Sequence, residues 1–440
     1  MPTTGVWRRS AAATAGVLLL AALPGCSADR FSAVKAPAGE VAGERPTDGA
    51  TEPAADGASY NPTSEDEQAI RDLMDARASA VEARDLRAFR ATVDLGQPKL
   101  LASQTVLFRN LVALGADTLW YDLATTYGTP APLPGRDPLL RPQVIEHLKL
   151  PATMSSPVAN ELDLTFVRRG DSWLVGAERA PGAKGSVGQP QERPWFGVPI
   201  AVRRVGDLTV LVDAAQKDRM TELVQSVQDG VQRDAEILGV PADTRVLVDA
   251  TSNGVPADFG GGKESVSAVT FPLSSNPDQG YYSAGVVIKL NPRQVEELMS
   301  NDRLLWHELT HYLLIGHAGS PVWLREGVAS WVEWQPAEMS GLVVPDALYD
   351  KLQRAEHDLP TAGVFYDKPE VHYPVAQAAV EWLVDRDGTD RLLDLMATYG
   401  RLAKDELPDA VTGKALRRVY GISEKELVTG TWETLASLHY

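Results

Sequence analysis

The stretch LLWHELTHYLLIGHAGSPVWLREGVASWVEW, residues 304–334, sets three histidines and three glutamates among leucines, valines and tryptophans. Ionisable groups that interrupt an apolar stripe are costly to bury unless something compensates them. No other part of the chain narrows the possible folds as much. The apolar spacing is helical on both sides of GHAGS. It predicts a first helix beginning near Asn301 or Asp302, and a second opened by Ser320 as N-cap with Pro321 at the first helical position. Fourteen residues separate His311 from Glu326, enough to finish one helix, turn and return antiparallel.

His307 and His311 are four residues apart, so both imidazoles leave one helix face about a turn apart, spaced to bind one metal ion at ~2.0–2.1 Å. Glu308 is rotated off that line and can reach a water on the ion without being a ligand, which is the position of a general base. A catalytic zinc takes three protein ligands and leaves one position open. Glu326 falls inside the apolar face made by Trp323, Leu324, Val328 and Trp331, where a cation between the two helices would compensate it. It is the expected third ligand. Glu333 is read as a carboxylate behind the ligands or at the surface, and Ser330 as a hydrogen-bond partner of a ligand histidine. His317 is placed to cap the end of the first helix, and His372 is a further candidate for the cleft.

The rest of the chain supplies an address and a frame. At 440 residues it is long enough for at least two domains. A net charge of −17 with no basic stripe argues against a nucleic-acid partner. Arg8 and Arg9, the small and apolar run Ala11–Leu23 and then LPGC form an export signal too short to span a bilayer. The segment resembles a bacterial lipoprotein signal. That resemblance implies a signal peptide over 1–25, cleavage before the single cysteine, Cys26, and lipidation there, which would anchor an extracytoplasmic protein to the cell membrane. The alternative is a plain secretory signal. Residues 26–63 are small, polar and rich in Pro and Gly and read as a disordered tether.

SEDE, with Ser64 and Glu67 at capping-box spacing, opens a helix striped by Ile70, Leu73, Met74 and Val81, and a second short helix follows over ARDLRAFRATV. ELDLTFVRRGDSWLVGAE reads as a hairpin turning at Gly170 and Asp171. This pattern over 64–180 resembles the NTF2-like α+β cone, with Asp94 and His147 as candidates to line a pocket. Residues 181–194 read as a linker. Beyond it, DLTVLVD, RVLVDAT, SVSAVTF and SAGVVIKL are expected strands and KDRMTELVQSVQDGVQRDAEILG an amphipathic helix closed by Gly239. SAGVVIKL, just before the ligand helix, is expected to offer its edge to an extended substrate. FGGGKE lacks the Ser or Thr of a phosphate loop and reads as a surface loop.

HELTH followed by WLREGVASWVEW resembles the gluzincin metallopeptidases, in which H-E-x-x-H is completed by the glutamate of a W-L-x-E-G-x-A helix. The resemblance implies a zinc peptidase domain over 195–440, with a small mixed sheet and a mainly helical lobe, hence an α+β chain overall. It implies His307, His311 and Glu326 as zinc ligands and Glu308 as the catalytic glutamate. In HYPVAQAAVEWLVDRDGTDRLLDLM it implies Tyr373 as the hydroxyl that steadies the tetrahedral intermediate. The activity implied is hydrolysis of a peptide or protein substrate by Glu308-assisted attack of a water on zinc. No G-x-M-E-N segment is present to grip a free amino terminus, which points to an endopeptidase or a peptidase of narrow range. The competing reading is a non-catalytic surface-binding lipoprotein, stabilised by zinc, with its first domain as a ligand cup. Glu308 weighs against it, since an inert scaffold has no use for the base.

Overall fold

A computed structural model of the chain describes residues 59–60, 62–125, 129–130, 137–179, 193–253, 268–275, 283–292, 302–335, 344–403 and 406–438. The signal segment, Cys26, the tether to residue 58 and the FGGGKE loop lie outside the described residues. The fold is α+β, and two five-stranded sheets organise it.

The first sheet follows three helices, α1 (Ser64–Glu82), α2 (Leu86–Ala91) and α3 (Pro98–Leu114). The cap of α1 lies one residue earlier than SEDE suggests. Thr63 and Asp66 form the reciprocal pair, with Asp66 N–H donating to Thr63 Oγ1 at 3.1 Å and Thr63 N–H donating to Asp66 Oδ2 at 3.0 Å. Asp66 wins over Glu67 because its other oxygen also accepts the Trp173 indole N–H at 3.0 Å. Strands β1 (Thr118–Thr125), β2 (Gln143–Lys149), β3 (Val158–Arg169) and β4 (Ser172–Arg179) then pair antiparallel in chain order, and the two-residue strand Leu139–Leu140 adds the fifth on β3. Leu162, Leu164 and Phe166 of β3 point inward as the alternation predicts. Helix α3 begins with Pro98 and ends on Gly115 at φ +48°, a left-handed residue that glycine supplies without strain.

The second sheet runs β8-β9-β7-β6-β5, from β5 (Ile200–Val205), β6 (Leu208–Asp213), β7 (Leu247–Ala250), β8 (Ala268–Ser274) and β9 (Ser283–Leu290). β9, β7 and β6 are mutually parallel, while β8 and β5 run antiparallel at the two edges. SAGVVIKL is therefore an interior strand, and among the described residues the sheet edge near the helix that carries HELTH belongs to β8. Both faces of this sheet are covered, which explains why every residue of β6 from Leu208 to Val212 is buried. Val210, Val212, Val248 and Ile288 pack on α4 (Met220–Leu238) and α5 (Arg303–Leu313). Leu211, Leu247 and Val287 face the other way, onto Leu107, Leu111 and Leu114 of α3. One core cluster thus joins the two halves of the chain.

Arg193, at the end of the segment expected as linker, is buried between Glu146 and Glu178. Its guanidinium donates to both Glu146 oxygens at 3.1 Å and to Glu178 Oε1 at 2.8 Å, and Trp195 Nε1 donates to Glu146 Oε1 at 3.1 Å. Those carboxylates outweigh the opposing effect of burial and hold the Arg193 pKa above its ordinary value. Asn110 of α3 fastens the next residues, donating to the carbonyls of Trp195 and Val198 and accepting from Ile200 N–H. The last part of the expected linker is a fixed joint.

Helices α6 (Val322–Glu333), α7 (Asp346–Gln353), α8 (Pro369–Leu402, broken at Gly388 with φ +81°), α9 (Thr412–Val419) and α10 (Glu424–Ser437) complete the chain. Trp323, Leu324, Val328 and Trp331 form the buried face of α6, packed against Val380, Leu395, Met396 and Tyr399 of α8. Ser320 does not cap this helix. Its hydroxyl donates to the Met396 carbonyl at 3.4 Å, and Pro321 takes the N-cap position ahead of Val322.

Candidate metal centre

Helix α5 buries Leu305, Leu309 and Tyr312 against the sheet, and this choice of face turns His307 and His311 away from it, toward α6. Helix α6 is held close to α8 at Gly327. A Cβ there would come within 2.4 Å of the Ala376 carbonyl oxygen, so only glycine permits this approach. The neighbouring Glu326 is thereby pressed against the two histidines. His307 Nε2, His311 Nε2 and Glu326 Oε2 converge, at 3.3 Å and 3.5 Å from the carboxylate oxygen, and one ligand atom from each residue lies within 4.8 Å of the others. Glu326 is 2% exposed.

The protonation pattern argues for a cation at this point. His307 Nδ1 lies 3.2 Å from Glu333 Oε2. A carboxylate only accepts, so a neutral His307 carries its proton on Nδ1 and turns the bare Nε2 lone pair toward Glu326. His311 Nε2 is buried without a hydrogen-bond partner. Burial works to raise the Glu326 pKa, and where the His311 and His307 rings carry positive charge that charge outweighs burial and holds the carboxyl well below its ordinary range, so the carboxylate is stabilised only by a positive charge in this space. Two imidazole nitrogens and an anionic oxygen, all aimed at one space, are the donor set of a catalytic zinc. The residues fit the ion.

The surroundings fix these donors. Glu333, not Ser330, meets the outer nitrogen of His307. Tyr366 Oη donates to Glu326 Oε1 at 2.9 Å, leaving Oε2 for the centre. His372 Nδ1 donates to the Phe365 carbonyl at 2.7 Å, so this ring braces the turn that carries Tyr366. Arg233 of α4 stacks 3.9 Å over the Trp306 ring of α5 and donates to the carbonyls of Val332, at 2.8 Å, and Gln335, tying the end of α6 to α5. Its neighbour Asp234 is fully buried and meets Thr310 Oγ1 at 3.3 Å. Burial pushes the Asp234 carboxyl up to about 7 despite the opposing Arg233.

Glu308 is completely buried. Thr270 Oγ1, on edge strand β8, stands 2.7 Å from Glu308 Oε2 and 3.0 Å from the Glu308 carbonyl oxygen. Tyr373 has its ring centroid 6.3 Å from that of His307 and 5.0 Å from that of Phe365.

The other candidates fall elsewhere. Asp94 pairs with Arg169 at 2.6 Å, a hydrogen bond that lowers its pKa against the effect of burial. His147 lies 2.9 Å from Asp122 and stacks on Trp120 at 4.5 Å, on the first sheet. His317 sits in the turn after α5, where burial lowers its pKa, and its peptide N–H rather than a charged ring closes the turn on Leu314. Sequence reasoning missed Tyr366, Thr270 and Arg233, because each reaches the centre from an element whose placement no local spacing reveals. A scan against protein-family models, a search of curated proteins and a search of solved structures each found no match to the chain.

Proposed function

We propose that the chain is an extracytoplasmic, lipid-anchored zinc metallopeptidase that hydrolyses peptide bonds, built as a gluzincin-type domain behind an NTF2-like one. The observation that carries this reading is the convergence of His307, His311 and Glu326, together with Glu308, the residue after His307, buried and tethered by Thr270. A structural zinc needs four protein ligands; three ligands with a base beside them suit hydrolysis. Zinc held by these three side chains would supply a Lewis acid that polarises a peptide carbonyl and acidifies water to a pKa near ~7.

The chain's own groups then divide the work. Glu308 accepts the proton of the attacking water and returns it to the leaving nitrogen, and Thr270 keeps its carboxylate aimed while that transfer occurs. Tyr366 is committed to Glu326, so its task is orientation of a ligand. Tyr373, whose ring centroid lies 6.3 Å from that of His307, is assigned as the hydroxyl that steadies the oxyanion. The outer edge of β8 pairs with an extended substrate through its backbone and leads it past Thr270 to Glu308. Metal analysis combined with a peptide-library digest tests the reading: about one zinc per chain, lost with activity in His307→Ala and His311→Ala, is the expected result. Full zinc retention in both variants contradicts it.

A further inference from the structure

We infer that Arg233 and Arg303 are positioning residues of the proposed metal centre, which clamp the last turn of α6 and so keep Glu333 on His307. This inference rests on the peptidase reading and adds to it the residues that hold the centre in shape. Glu333 is the last residue of α6, and Trp334 is its C-cap. The last four carbonyls of a helix have no partner within it, and such ends fray. Glu326 lies about two turns further in, beside the tight contact of Gly327 with Ala376. The two carboxylates of α6 that meet the histidines are therefore held in different ways, and Glu333 needs support from outside its own helix.

Two guanidiniums give that support. Arg233 of α4 donates to the carbonyls of Val332, at 2.8 Å, and Gln335, a cation placed at the negative end of the helix. Its Cζ lies 3.9 Å from the ring centroid of Trp306, the residue before His307. That ring is set close to α4 at Gly230, where a Cβ would stand 3.1 Å from Trp306 Cδ1. Arg303, the first residue of α5, lies 3.9 Å over the Trp334 ring in turn. The grips on α6 thus fall on the residues that flank Glu333. Burial lowers the Arg233 pKa, and the Asp234 and Glu333 carboxylates oppose that effect, so Glu333 lies within the field of this cation. His307 Nδ1 is 3.2 Å from Glu333 Oε2, and a carboxylate in that place fixes the tautomer and direction of a ligand ring. Movement of the last turn of α6 therefore turns the ring that carries the ligand Nε2.

The test uses the full chain and two readouts that do not depend on turnover: zinc affinity in competition with a chelator, and the visible spectrum of the cobalt-substituted protein, which follows coordination geometry. Arg233→Met and Arg303→Met should each weaken zinc binding by ~10-fold and shift the cobalt bands. Arg233→Lys, which keeps the charge but not the flat stack on Trp306, should fall between wild type and Arg233→Met. The decisive arm is a pair of double variants. In a Glu333→Gln background, Arg233→Met should weaken zinc by less than about 2-fold more, because the contact through which it acts is already lost. In a Tyr366→Phe background it should have its full effect, because Tyr366 acts on Glu326.

Thermal midpoints of the metal-free variants accompany each measurement. If Arg233→Met does not fold, Arg303→Met and Trp334→Leu, at half-buried positions, carry the same comparison. Wild-type zinc affinity and cobalt spectrum in Arg233→Met and Arg303→Met overturn the inference and leave the metal reading standing. So does a loss in the Glu333→Gln background as large as in wild type, which marks a merely structural role. A wild-type chain that takes no zinc overturns the reading on which the inference rests, and the inference with it. Zinc bound without peptide cleavage overturns the peptidase reading alone, and the affinity arms still decide the clamp.

Discussion

Arg193→Met removes one cation from between two buried carboxylates while keeping most of the side chain's volume. Glu146 is fully buried, and the Arg193 and Glu178 side chains that meet are each 2% exposed. Among the described residues, the methionine leaves Glu146 with the Trp195 indole N–H and Glu178 with the Gln104 amide, which donates at 2.6 Å. Breaking a buried pair by deleting one partner costs about 3–5 kcal/mol, and here two carboxylates lose their cation together. Against a typical total of ~5–15 kcal/mol, that is enough to unfold the first sheet in mild urea. Equilibrium urea unfolding followed by tryptophan fluorescence measures it. The triple variant Arg193→Met, Glu146→Gln, Glu178→Gln should recover much of the loss, since it leaves no uncompensated charge. A loss below about 1 kcal/mol in the single variant, on a scale where surface changes stay within ~0.5 kcal/mol, would refute the reasoning that this joint is held by charge.

Tyr366→Phe and Glu333→Gln each free one proposed zinc ligand from its orienting partner, and each should weaken zinc affinity by ~10–100-fold in competition with a chelator; unchanged affinity in both would remove Tyr366 and Glu333 from the proposed centre. Asp234, pushed up to about 7 from an ordinary 3.8, holds in the folded state a proton that the unfolded chain releases, so its contribution is full below about pH 4 and is lost as pH rises through about 7. The stability difference between wild type and Asp234→Asn should therefore fall across that window and level off above about pH 8, and a difference flat with pH contradicts the assignment. Cys26→Ser should move the protein from the membrane fraction to the soluble fraction; a protein that stays with the membrane is anchored by something else.

The residues that converge in the candidate metal centre were singled out in the sequence by spacing, and the frame around them was legible only in part. His307, His311, Glu308 and Glu326 declare themselves because helical periodicity converts spacing into direction and because a carboxylate inside the apolar face of Trp323, Leu324 and Val328 demands a reason. Thr270 gives no such sign. As one residue of an alternating strand it looks like any solvent-facing threonine until the sheet order puts β8 at the edge beside α5. Strand order itself is not written locally, which is why SAGVVIKL, adjacent to the ligand helix in sequence, proves to be interior. Helix α3 is absent from the sequence reading although Pro98 and Gly115 mark both its ends. Strand β2 is hidden for a different reason: Glu146 breaks the inward run of Val144 and Leu148, and a buried glutamate looks like a surface one until Arg193 arrives from 47 residues away. The same event turns the expected linker into a joint. Two shifts of a single residue, Thr63 for Ser64 and Pro321 for Ser320, came from tertiary hydrogen bonds to Trp173 and Met396 that outweigh local capping preference.

Two glutamates one α-helix apart are assigned opposite tasks, and separating them is the most direct test of the whole account. Glu308→Gln preserves size and the Thr270 contact but cannot accept a proton. It should keep about one zinc per chain and lose turnover by ~10²–10⁴-fold. Glu326→Gln removes the anionic ligand, so zinc affinity should fall first and activity with it. Zinc content and peptide cleavage measured together on the two variants decide the matter. Glu308→Gln with zinc bound and substrate cleaved at the wild-type rate would contradict the assignment of Glu308 as the base and leave a zinc-stabilised scaffold in its place.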